Sequence, residues 1–210
     1  MDVAEFIAAC PRVFHMASAL AWPSIQQHGL LSTAGLLDLY GVEPDLRREI
    51  MTRRRAKSIN LNGPGLAPAV IRDQKPMKFL MEKIEPDASV EDFLVAINSR
   101  VFFWPNRDRL ERLRNAKEYR GLAQVVLHIN TQTLVERHAN QIELCRFNSG
   151  AITQRNHPLR SRESWLPIDQ YPYTEYQRRY GSQGALAEVT VLDSVPDLLE
   201  LAVAVEHVRP

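Results

Sequence analysis

The chain has 210 residues, 45% of them hydrophobic and 24% charged, with a formal net charge of +1. That balance excludes a disordered chain and gives no global pull toward nucleic acid. No apolar run reaches the ~18 residues that a membrane span needs, and Met1-Asp2-Val3-Ala4-Glu5 carries acids where a secretory signal is basic, so a cytoplasmic protein is expected. A helix over 3–9 is stopped by Pro11, and a strand follows over 12–16. Pro23 suits the first turn of a helix that Gly29 ends. Ser32 caps the next helix, over 33–40, and Gly41 stops it. Pro44 opens a third, which carries the cluster Arg47, Arg48, Arg53, Arg54, Arg55 and Lys57. Residues 60–68, with two glycines and two prolines, read as a loop, and 69–71 as a brief strand running into Arg72. Helices are expected over 77–84 and 90–98, the second capped by Ser89 with Asp92 at the capping-box position. Residues 100–104 are the densest aromatic strand signal. Pro105 ends that strand, and Asn106 caps a helix with Leu110 and Leu113 on one side and arginines on the other. An apolar strand over 124–129, a helix from Thr131 to near His138 and a weaker strand over 142–144 follow. Residues 146–184 are polar and turn-rich, and so long a loop is more often functional than ornamental. Strands over 187–192 and 201–207, joined by a turn at Pro196, close the chain.

Helices gather early and strands late, without regular alternation. The fold class is therefore α+β, in one domain over 1–210. Cys10 and Cys145 are the only cysteines, too few for a zinc site or a disulfide framework, and read as two reduced thiols. A Walker-type loop, a Gly-x-Gly-x-x-Gly turn, a His-Glu-x-x-His pair and a Gly-x-Ser-x-Gly elbow are all missing. The histidines are scattered without ligand spacing, so no metal is expected. What remains is His15 on the first strand and Glu188 on a late one, with the arginines and the aromatic strand between them. A polar residue inside an apolar strand is costly to bury unless something pairs with it. One at each end of the chain fits two strands meeting around a cleft. Each residue also has a plainer reading. His15 can be a core histidine bonded to backbone, Glu188 a strand residue facing water, Arg53 to Arg55 a solvated face, and Phe102-Phe103-Trp104 core.

The order of these features resembles the ADP-ribosyltransferase fold and, within it, the DarT family of bacterial DNA ADP-ribosyltransferase toxins. Four places carry the resemblance: Phe14-His15 with the turn from Ile25 to Leu30; Arg54-Arg55 ahead of a Gly/Pro loop; Pro76-Met77; and Ala187-Glu188-Val189-Thr190-Val191 followed by Val195-Pro196. Where DarT-like proteins carry an aromatic strand before the Pro-Met pair, this chain has Arg72-Asp73-Gln74. A fuller pattern, including Ile71-Arg72-Asp73-Gln74, residues 101–104 and Asn148-Ser149-Gly150, is similar to a bacterial family without a settled activity.

The resemblance implies a split β-sheet core with flanking N-terminal helices and an NAD-dependent transfer of ADP-ribose. Glu188 and Arg54 are then the catalytic residues. His15, Arg55, Arg72, Phe103 and Trp104 hold NAD, with Arg54 the first choice for the diphosphate and Arg55 and Arg72 behind it. Cleaving the nicotinamide–ribose bond builds positive charge on the sugar, which a carboxylate offsets as in glycosidases. An arginine fork suits a diphosphate. Single-stranded nucleic acid is the leading acceptor, read by Arg155, Arg160, Arg162, Trp165 and the tyrosines of the long loop. The weak net charge speaks against tight non-specific binding, so protein and small-molecule acceptors stay open. A toxin or phage-defence setting, with an antitoxin or inhibitor protein as partner, follows from the resemblance alone. The alternatives are a non-enzymatic nucleotide- or protein-binding module and an NAD glycohydrolase.

Overall fold

Local signals set most of the helices. In the computed structural model, which describes residues 1–209 and so leaves the end of the expected domain at Pro210 outside the described residues, α1 (Val3–Ala9) is capped by the Asp2 carboxylate. Strand β1 (Arg12–Ser18) leads into α2 (Trp22–His28), with Pro23 in its first turn. Gly29 ends α2 at φ +71°, and a Cβ there would stand 2.3 Å from the Val195 carbonyl oxygen. Only glycine allows both the angle and the approach. The chain then runs through β2 (Leu30–Leu31), α3 (Thr33–Leu39), capped by the Ser32 hydroxyl, and α4 (Pro44–Thr52). Later helices obey the same rule. Ser89 caps α5 (Val90–Asn98), Asn106 caps α6 (Arg107–Arg114), and Asn130 caps α7 (Thr131–His138).

Three stretches depart from the sequence reading. Residues 60–68 are not a loop but most of a hairpin, β3 (Ile59–Gly63) and β4 (Leu66–Ile71). The glycines and Pro64 are confined to its turn, and Pro68 falls where the register shifts between the Leu61 and Gly63 pairs. The helix expected over 77–84 is a single 3-10 turn, Leu80–Glu82. Its backbone bonds across the molecule instead: Met77 bridges Ile152, Ile84 bridges Arg160, and Phe79 N–H donates to the Ile152 carbonyl. The stretch over 146–184 contains the short strand β8 (Leu166–Pro167) and helices α8 (Tyr173–Tyr180) and α9 (Ser182–Ala185).

Two antiparallel sheets form the centre. The first has the order β1, β6 (Gln124–Asn130), β11 (Ala202–Val208). Its middle strand is buried on both faces, with Val125, Val126, Leu127 and Ile129 all inaccessible. Each such side chain contributes about 1.5–3 kcal/mol of burial. The second has the order β5 (Arg100–Phe103), β9 (Glu188–Leu192), β7 (Ile142–Cys145), β8. The sheets touch through β1 and β5 at one antiparallel bridge, where Phe14 and Trp104 exchange backbone hydrogen bonds of 2.9 and 2.7 Å. Beyond that bridge the two strands part. Strand β10 (Ser194–Val195) pairs with β2, so Leu30 lies opposite Val195. The glycine turn near the start of the chain and the Val-Pro turn near its end are thereby in contact. A last short helix, α10 (Leu198–Leu201), leads into β11.

Candidate functional site

Where β1 and β5 part, a cavity of about 330 Å³ opens, at the lower end of the range for small-molecule sites. Strand β1 contributes His15, β5 contributes Phe102, and Trp104 follows β5. Strand β9 contributes Glu188, the end of β4 leads to Arg72, and residues 148–151 form one rim. The imidazole and the carboxylate, from opposite ends of the sequence, thus line one space.

His15 sits opposite Leu127 in the β1–β6 register, and its Nδ1 is 2.8 Å from the Phe102 carbonyl oxygen. Burial, with the nearby Arg72 charge, pushes its pKa down to about 4, against the smaller pull of that carbonyl. The ring is therefore neutral at physiological pH. A carbonyl only accepts, so Nδ1 carries the proton and Nε2 is left as an acceptor. Such a ring can receive a hydrogen bond from a ligand hydroxyl but has no proton to move near neutrality.

The arginines divide by location. Arg72 lines the cavity. Its Nη2 donates to the Met16 carbonyl at 2.6 Å, and its guanidinium lies 5.0 Å from the Tyr119 ring centroid. Among the described residues its Nε and Nη1 have no partner. Burial lowers its pKa, with Tyr119 and Asp73 opposing. Arg55 also lines the cavity, but its guanidinium is bonded to protein: Nε to the Arg72 carbonyl, Nη1 to the Ile50 carbonyl and Nη2 to Asn98 Oδ1. With Asn98, whose Nδ2 donates to the Met51 carbonyl at 2.9 Å, it closes the C-terminus of α4. Burial draws its pKa down to about 10. Arg54, the first choice from sequence, stays outside the cavity. It is exposed, its Nη1 reaches the Lys75 carbonyl at 3.3 Å, and it borders a separate depression with Arg53 and Lys78. The chain leaves α4 extended at Arg53, and Arg54 and Arg55 then take different environments. Phe103 needs the same correction. Alternation on β5 turns it into the core, 1% exposed, where its ring meets His15 edge-on with centroids 5.8 Å apart. Phe102 and Trp104 take the cavity side.

Glu188 faces inward and is 4% exposed. Its Oε1 accepts the Ser149 backbone N–H at 2.9 Å. Burial pushes its pKa up to about 7, against the Ser149 donors, the Arg160 charge and the Trp165 side chain, all of which favour the charged form. Three polar atoms here, Glu188 Oε2, the Ser149 hydroxyl and the Trp165 indole nitrogen, are buried without a hydrogen-bond partner. The two donors nonetheless lie close enough to the carboxyl to favour its charged form, so the three atoms form one loosely paired polar cluster inside the wall.

Two residues of this wall belong to the segment that the sequence marks as acceptor-facing. Arg160 and Trp165, read as acceptor contacts, are 1% and 3% exposed. The Arg160 guanidinium donates to the backbone carbonyls of Ser149, Pro158, Asn148 and Ala151 and lies 4.1 Å from the Phe147 ring centroid. It fixes the segment that presents Ser149 to Glu188. An isolated tryptophan in a polar run was the available signal, since so large a ring seeks burial. Arg155 and Arg162 are exposed.

No helix of the described residues is long and apolar enough to cross a membrane, and among them no three His, Cys, Asp or Glu side chains gather as metal ligands. No curated protein matches the chain. Residues 11–202, nearly the whole length and every element of the cavity, match the model of DUF7002, described as a family of unknown function, and the chain belongs to that family.

Proposed function

We propose that this protein is an NAD-dependent ADP-ribosyltransferase built on an ADP-ribosyltransferase-like split sheet, and that the cavity between β1 and β5 takes NAD. The observation that carries the reading is a buried carboxylate with one unbonded oxygen in the same cavity as a neutral imidazole with a free acceptor. Most buried side-chain oxygens in folded proteins are well bonded. In this reading His15 Nε2 accepts from a ribose hydroxyl, and Arg72, with its unengaged donors, takes the diphosphate role first given to Arg54. Trp104 and Phe102 wall the nicotinamide. The bond from the ribose anomeric carbon to the nicotinamide nitrogen breaks, and its electron pair leaves with neutral nicotinamide. An acceptor nucleophile forms the new bond and loses its proton to solvent. Ionised Glu188 offsets the positive charge that builds on the sugar.

For the acceptor, Arg146 lies 4.1 Å from the Tyr180 ring centroid and 5.6 Å from that of Tyr176, on the α8 side of the segment after β7. A cation among tyrosines suits stacked bases, which favours single-stranded nucleic acid.

The test is incubation with adenylate-labelled NAD and, separately, single-stranded DNA, RNA and protein. Label should enter one acceptor in the wild type and be lost in Glu188→Ala. Nicotinamide release without labelled acceptor would identify a glycohydrolase. Absence of both release and NAD binding would leave a non-enzymatic module.

A further inference from the structure

We propose that Trp165 is a positioning residue for Glu188, its indole N–H being the donor that Glu188 Oε2 takes up when the carboxylate ionises. The inference deepens the reading of Glu188 as the charge-bearing group. Its physical basis is separate from that reading and rests on how the indole is held.

Trp165 sits between the 3-10 turn Arg162–Ser164 and β8 and cannot readily rotate. One face stacks on Phe93, with centroids 5.7 Å apart and planes 15° from parallel. The Arg100 guanidinium lies 4.3 Å from its centroid, and Phe102 meets it edge-on at 6.4 Å. Arg100 is itself pinned, with Nε donating to Glu143 Oε2 at 2.9 Å. The clamp thus draws on α5, β5 and β7 together. Inside it, the one polar atom of the ring has no partner, and the carboxylate oxygen that needs a donor has none either. The Trp165 side chain lies beside Glu188 and favours its charged form. An unsatisfied buried N–H is costly, and a packing role alone would be filled equally well by phenylalanine.

The other groups facing Glu188 are accounted for. Arg160, from the segment before Trp165, and Arg109, from α6, both stand near the carboxyl. Cys145, its register partner on β7, is a buried thiol whose pKa is raised beyond the physiological range. Ser149 supplies its backbone N–H to Oε1. The two arginines act as charges whose hydrogen bonds go to backbone carbonyls, Arg109 to Gln183 and Arg160 to the rim segment. Among the described residues, the side chains near enough to donate a hydrogen bond to the carboxyl are Trp165 and the Ser149 hydroxyl, whereas Arg109 and Arg160 act on it through charge.

The experiment is an NMR pH titration of ligand-free protein, following the glutamate side-chain carboxyl carbons and the tryptophan indole N–H signals between about pH 5 and pH 9. Glu188→Gln identifies the Glu188 resonance, and Trp165→Phe identifies the indole. In the wild type the Trp165 N–H should titrate with the Glu188 midpoint, and in Glu188→Gln it should be flat. In Trp165→Phe, which keeps the stack on Phe93, the Glu188 midpoint should rise by about one pH unit. An unmoved midpoint in a folded Trp165→Phe protein would overturn the proposal. So would a Trp165 signal that is flat in the wild type, a measurement that needs no tryptophan variant to fold. NAD is absent throughout, so a protein that never binds NAD would end the transferase reading and leave these midpoints untouched.

Discussion

The two walls of the cavity are built on opposite principles. On the β1 side, His15 is neutral, bonded to the Phe102 carbonyl and packed edge-on against Phe103. On the β9 side, Glu188 keeps an oxygen without a partner, and burial holds its pKa near 7, against the pull of Ser149, Arg160 and Trp165. The first wall has no proton to move near neutrality and offers only the His15 Nε2 acceptor. The second carries a carboxyl that titrates close to neutrality. In the proposed reading, binding belongs to the first wall and chemistry to the second.

The sharpest way to break that division is to dismantle the scaffold behind the second wall. Arg160→Met leaves four backbone carbonyls without their donor. It should cost about 3–5 kcal/mol of stability in urea unfolding, whereas a solvated arginine would cost almost nothing. Glu188→Gln should lower transfer by roughly a hundredfold or more with NAD affinity changed only a few-fold, read by single-turnover kinetics and calorimetry. The same variant has a stability signature. The folded pKa of Glu188 lies above its ordinary value of 4.5, so the wild type loses stability as pH rises from about 4.5 toward 7 and levels off above that. Glu188→Gln should therefore be the more stable protein at pH 9, by up to about 3 kcal/mol, and the gap should close toward pH 4. Activity should follow the ionised carboxylate, rising about tenfold from pH 6 to pH 8 with an inflection near 7. On the recognition side, Arg72→Ala should weaken NAD binding by about tenfold. Arg54→Ala should leave affinity unchanged and stability within about 0.5 kcal/mol. The reverse ranking would restore the choice made from sequence.

The difference between those arginines shows what a sequence can and cannot carry. Caps such as Ser32, Ser89 and Asn106 were legible because the donor and acceptor lie within one helical turn. The close approach at Gly29 left a trace in the glycine itself. The direction of Glu188 did not, since a period of two places it on one of two faces without saying which is buried. Choosing among Arg54, Arg55 and Arg72 required knowing how the chain leaves α4 and β4, which depends on contacts distant in sequence. The same cause hid the hairpin over residues 59–71, whose Gly63-Pro64-Gly65 turn looked like a longer loop. It also produced the false helix over 77–84, whose backbone partners lie near Ile152 and Arg160. Arg160 and Trp165 were visible as residue types, but their burial arises from packing against Phe147 in one case and Phe93 and Arg100 in the other.

The most direct test is a crystal structure of the protein with NAD or a non-hydrolysable analogue bound. The dinucleotide should lie across the gap between β1 and β5, with one ribose hydroxyl on His15 Nε2, the diphosphate on Arg72 and the nicotinamide ribose within hydrogen-bond reach of Glu188. Density for the ligand on another surface, or in the cavity with no contact to Glu188, would contradict the assignment of binding and chemistry to these two walls.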